Sequence, residues 1–99
     1  MIDDIHIGQL FTDSTSAIII EKLKEFDWDY EYTFTFIKSL YEQKKVSPES
    51  YLGILRAFGK IVEHEQFING GDSVMDYIAW KVKDEIIGVT YAPEENTNG

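Results

Sequence analysis

The chain contains no cysteine, which excludes a disulfide framework, a thiolate zinc site and a cysteine nucleophile. It has no long apolar run either. None exceeds four residues, as in Ala17-Ile18-Ile19-Ile20, far short of the roughly 20 that a membrane span needs. Basic residues are scarce: nine Lys and Arg stand against eighteen Asp and Glu, a formal charge of -9. The first twenty residues hold acids and no Lys or Arg, unlike the positively charged start of a signal peptide. Because phosphate contacts depend on Lys and Arg, direct nucleic-acid binding is disfavoured as well. Only two histidines occur, His6 and His64.

Apolar residues are plentiful, at 43% with 14% aromatic, too many for a disordered acidic tail. A chain of 99 residues buries somewhat over ~60% of its unfolded surface, enough for one core and not two. These figures lead to the expectation of a small soluble cytoplasmic protein. Residues 1–91 would form a single helical domain, and the polar run 92–99 a disordered acidic tail.

Helical periodicity is clearest from Ser47 to Ile68. Ser47 suits the N-cap, Pro48 the first helical position, and Tyr51, Leu55, Phe58 and Val62 recur at helical spacing. Asn69-Gly70-Gly71 would end that helix, while Gly53 and Gly59 inside it suggest a close neighbouring helix. After Asp72 or Ser73, the stripe Met75, Ile78, Ala79, Val82, Ile86 predicts another helix that Gly88 would end. Tyr77 and Trp80 are expected to widen its buried face. Nearer the N-terminus, Asp13 or Ser14 can cap a helix bearing Ile19, Ile20, Leu23 and Phe26. Segment Trp28–Phe36 alternates aromatic and polar residues, a strand signature. However, Asp27 could cap a helix through it, with Lys44 and Lys45 at the far end matching the macrodipole. A strand would also lack partners, since a lone pair is marginal. The expected fold is therefore all-α, a compact antiparallel bundle of about four helices over 14–26, 28–45, 48–68 and 73–87. The alternative is α+β with 28–36 as a strand.

Catalytic patterns are missing. His64 has no ligand-type residue three or four positions on and reads as a surface histidine between Glu63 and Glu65. The serines at 14, 47 and 73 have capping roles. There is no nucleophile elbow, no phosphate-cradling loop and no EF-hand spacing. The expectation is a non-enzyme with no cofactor and no metal; a small enzyme or metal-dependent domain is the least favoured reading.

The acids cluster. Glu25, Asp27, Asp29 and Glu31 fall between Lys24 and Lys38, where no base occurs, interleaved with Phe26, Trp28, Tyr30 and Tyr32. A second base-free window, Ile61–Trp80, holds Glu63, Glu65, Asp72 and Asp76. Such fields attract cationic partners. Aromatic residues among them can anchor a protein interface. In size, acidity and aromatic content the chain is similar to nuclease-toxin immunity, anti-restriction and anti-CRISPR proteins, although no motif places it in one of those families. The leading expectation is thus an acidic inhibitor or immunity-type protein (antitoxin) that neutralises a basic partner. That partner would be a nuclease toxin or other nucleic-acid-processing protein, blocked by occupation of its substrate groove. Expected contacts are Asp27, Trp28, Asp29, Tyr30 and Glu31, then Glu63, Glu65, Asp72 and Asp76, with no membrane or nucleic acid involved. The second expectation is a self-associating or scaffold module, and the chain would be a monomer or dimer.

Overall fold

The computed structural model describes residues 13–69 and 73–91. Those residues form four helices: α1 (Ser14–Glu25), α2 (Tyr30–Glu42), α3 (Pro48–Asn69) and α4 (Ser73–Thr90). No strand occurs among them, and the fold is an all-α bundle. Its proposed extensions, the N-terminal dozen residues and the acidic tail 92–99, lie outside the described residues, as does Asp72.

The segment with two possible readings is helical. Tyr30, Thr33, Phe34 and Ile37 are its buried positions, the spacing of one helix face. Two threonines of the alternating pattern turn their hydroxyls back onto the helix. The Thr33 hydroxyl donates to the Asp29 carbonyl at 2.8 Å and the Thr35 hydroxyl to the Glu31 carbonyl at 3.1 Å. Side-chain bonding to the preceding turn is a helical option for threonine.

Both ends of α2 differ from expectation. Its N-cap is Asp29, whose carboxylate accepts from the Tyr32 N–H at 2.9 Å; Asp27 is not the cap. The reason lies in how α1 stops. The Trp28 N–H donates to the Leu23 carbonyl at 2.6 Å and the Asp27 N–H to the Lys24 carbonyl at 3.1 Å, the paired bonds of a Schellman ending. That ending holds Asp27 and Trp28 at φ 61° and 60°, so neither can belong to a helix. α2 then stops at Glu42 by the same device. The Lys45 N–H reaches the Leu40 carbonyl at 2.9 Å and the Lys44 N–H the Tyr41 carbonyl at 3.0 Å. Lys44 takes φ 60°, so both lysines lie beyond the helix.

Left-handed backbone at a residue with a Cβ costs roughly 1–2 kcal/mol, and a glycine recovers part of that after its greater unfolded-state entropy is counted. Exposed Lys44 is accordingly a site for gain. Lys44→Gly is expected to stabilise the fold by about 0.5–1 kcal/mol, raising Tm by a few degrees in a calorimetric scan.

α3 is the central helix, with Tyr51, Leu55, Phe58, Ile61 and Val62 wholly buried. Ser47 caps it as expected, its hydroxyl accepting from the Ser50 N–H at 3.1 Å. α2 runs antiparallel to α3: Tyr41 stacks on Tyr51 at 4.2 Å, and Phe34 on Phe58 at 6.2 Å. α4 is antiparallel to α3 as well. Tyr51 bonds Glu85 at one end and Gln66 bonds Asp76 at the other, both at 2.7 Å. α1 buries Ile19, Ile20 and Leu23, and Phe26 sets its edge against Tyr32 and Phe36 of α2 at 4.8 and 5.4 Å. Asp13 caps α1 by accepting from the Ser16 N–H at 3.0 Å, which holds the carboxyl below its ordinary range.

The internal glycines have different explanations. A Cβ at Gly59 would meet Val82 Cγ1 at 3.3 Å, so this glycine lets α3 and α4 approach closely. Gly53 has open space around it, and nothing in the structure requires a glycine there. Gly88 does not end α4, which continues to Thr90.

Candidate surface for a protein partner

Connectivity decides where the acids go. The α1–α2 turn, the last third of α3 and the first turn of α4 meet at one end of the bundle. Two side-chain bonds fasten them. Tyr30, only 7% exposed, donates from its hydroxyl to Glu65 Oε1 at 3.3 Å, joining the start of α2 to α3. Gln66 Nε2 donates to Asp76 Oδ1 at 2.7 Å, joining α3 to α4. The acids of the two base-free windows, more than thirty positions apart in the chain, thereby share an end. Burial, and then the adjacent Glu65 charge, push the Tyr30 hydroxyl well above the ordinary phenol range. It stays protonated and keeps donating.

The individual residues divide by role. Asp27, Asp29 and Glu31 are exposed, and Asp29 also caps α2. Glu63 and Asp76 are exposed, while Glu65 is half-buried. Tyr30 belongs to the core and Trp28 is half-buried against it, so these two aromatics hold the turn in place more than they present a surface. His64 is half-buried and does not lie on an open face. Among the described residues no group of three or more His, Cys, Asp or Glu stands close enough to hold a metal ion. No described helix is long and apolar enough to cross a membrane.

Tyr32 is exposed at the start of α2, and the other exposed aromatic residues lie on α3 and α4 and just beyond. Tyr77 and Trp80, expected on the buried face of α4, are 49% and 61% exposed and stack on one another at 6.5 Å. Ile87 and Tyr91 are exposed too. Together they form a second stripe, 77, 80, 87 and 91, opposite the buried one of Met75, Ile78 and Val82. No protein-family model, curated protein or solved structure matches this chain. The reading therefore rests on these residues alone.

The stripe adjoins the acidic end. Lys81 Nζ sits over the Phe34 ring of α2 at 5.4 Å and over Tyr77 at 5.2 Å, while Lys38 approaches Glu85 at 3.9 Å. This register sets Glu31 level with Ile78, next to Tyr77 along the α2–α4 seam. Phe67, near the end of α3, is 86% exposed. Large exposed rings bordered by carboxylates form a surface suited to protein contact, since Trp and Tyr dominate binding hot spots and the rim around them is polar. Helical periodicity carried this signal, because 77, 80, 87 and 91 follow one row, interrupted by Asp84, just as the core residues follow another.

Proposed function

We propose that this chain is a non-catalytic inhibitor that binds a basic protein through its acidic end. The partner class is a nuclease toxin or another nucleic-acid-processing protein, whose substrate groove the acids would fill in place of phosphate. One observation carries the reading: Asp27, Asp29, Glu31, Glu65 and Asp76 converge on one end of the bundle beside exposed Tyr77 and Trp80. The carboxylates would steer a cationic surface in, and the rings would supply the desolvated contact that slows release.

The test is capture of the partner from native extract on tagged protein at low salt, followed by kinetics with variants. The double reversal Asp27→Lys/Glu31→Lys is expected to slow association and flatten its salt dependence. Trp80→Ala is expected to speed dissociation and weaken Kd by about thirtyfold, the effect of losing roughly 2 kcal/mol at a hot spot. A partner whose binding ignores both salt and the reversal removes the charge-guided reading.

A second reading draws on the α4 stripe alone. A helix apolar on opposite sides is a candidate for self-association, with Tyr77, Trp80, Ile87 and Tyr91 meeting a second copy. Sedimentation at two concentrations separates the two: a monomer mass that does not change with concentration excludes the dimer.

A further inference from the structure

The basic residues have their own site. On the side of the α3–α4 pair away from α2 lies a groove of about 280 Å³. Its floor is Gly59, Ala79, Val82 and Ile86. Gly59 opens it by letting the helices approach, with Val82 Cγ1 3.3 Å from where a Cβ would stand. Arg56, Lys60 and Lys83 line its walls, and Glu63 is its one acid. Three of the nine bases of a chain with charge -9 are thus spent on a single apolar-floored cleft. All three are exposed. None of them forms a salt bridge within the described residues; Lys60 feels a weaker attraction from Asp13.

Charge and floor together specify the ligand. The register fixed by Tyr51–Glu85 and Gln66–Asp76 sets Arg56 and Lys83 across from one another at one end. Glu63 stands toward the other end. The polarity of the cleft runs from cationic to acidic. Its walls span Arg56 to Glu63, about 10 Å at the helical rise of 1.5 Å per residue. A volume of about 280 Å³ along that length is room for a single alkyl chain lying on the apolar floor.

We infer that this cleft binds an anionic single-chain amphiphile, a long-chain carboxylate being the simplest case. The carboxylate head pairs with Arg56 and Lys83, and the chain lies over Gly59, Val82 and Ala79. The inference is independent of the acidic end and stands or falls separately. It also runs against the net charge, which repels anions, so only a built site gives saturable binding.

Decanoate below its micellar concentration is the probe, titrated into isotope-labelled protein and followed by amide shifts. Saturable shifts confined to residues 56–63 and 79–86 are expected. Arg56→Gln/Lys83→Gln, both at exposed positions and checked for native circular dichroism, should weaken binding at least about tenfold through loss of the charge-assisted bonds. Ala79→Leu, which fills the floor, should abolish the shifts while both cations remain. Decanol, with the same chain and no charge, should bind more weakly by a similar factor. The inference is overturned by absent or non-saturating shifts, by unchanged affinity in the double variant, or by decanol binding as tightly as decanoate.

Discussion

Phe58→Ala will lower the unfolding free energy by about 3–5 kcal/mol, the cost of removing a fully buried aromatic ring and leaving a cavity that only partly closes. Phe58 has no exposed surface, and two rings of α2 rest on it, Tyr30 at 6.1 Å and Phe34 at 6.2 Å. A domain this size holds only about 5–15 kcal/mol in all, so the variant loses roughly a fifth or more of its stability. Equilibrium urea unfolding should show a much lower midpoint with an unchanged slope. Phe58→Leu, which keeps most of the volume, should cost less than about 1.5 kcal/mol if repacking is free. Equal losses for Leu and Ala would mean that ring contacts, not volume, set the effect; a loss under about 1 kcal/mol for Ala would contradict the central position of α3. The change also bears on the surface, because Tyr30 reaches Glu65 across the top of Phe58.

Helix positions were legible wherever a cap and a period agreed. Ser47-Pro48 and the row Tyr51, Leu55, Phe58, Val62 made α3 readable nearly to the residue. The α1–α2 turn was not readable in the same way. Nothing in Phe26-Asp27-Trp28-Asp29 announces two successive left-handed residues, and a glycine there would have done so. With two aspartates available, the cap went to the one that follows the Schellman ending. The acids themselves were visible, yet their meeting at one end depended on helix order and on the Tyr30–Glu65 and Gln66–Asp76 bonds, which no local pattern encodes. The aromatics were harder. Tyr30 and Trp80 look alike in a list of rings near acids, but only position on the helix separates a core ring from an exposed one. Tyr30 shares a row with Phe34 and Ile37, while Trp80 shares one with Tyr77, Ile87 and Tyr91. The basic groove was the least accessible of all, since Arg56, Lys60 and Lys83 come from two helices and become neighbours only once these are paired.

Alkaline unfolding should expose the two tyrosine clamps. Tyr30 donates to Glu65, and Tyr51, wholly buried, donates to Glu85 at 2.7 Å. Burial first, then the adjoining carboxylate, raises both phenols well above their ordinary value of 10.0. The sign follows from linkage. Below pH 10 both tyrosines are protonated in folded and unfolded chains, and their contribution is fully present. Above pH 10 the unfolded chain releases those two protons and the folded chain retains them, so stability falls as pH rises. Each phenol contributes a slope of about 1.4 kcal/mol per pH unit, about 2.7 together. Urea unfolding at a series of pH values above 10 should show that decline. Tyr30→Phe and Tyr51→Phe should each be less stable at neutral pH, by roughly 1.5–3 kcal/mol for a bond to a charged acceptor. Each should also remove about half of the tyrosine-dependent slope. A slope unchanged in both variants would show that neither phenol remains protonated in the fold. The carboxylates beside them would then not be fixed by these bonds, and the two acidic windows that the proposed surface requires would lose the Tyr30–Glu65 link between them.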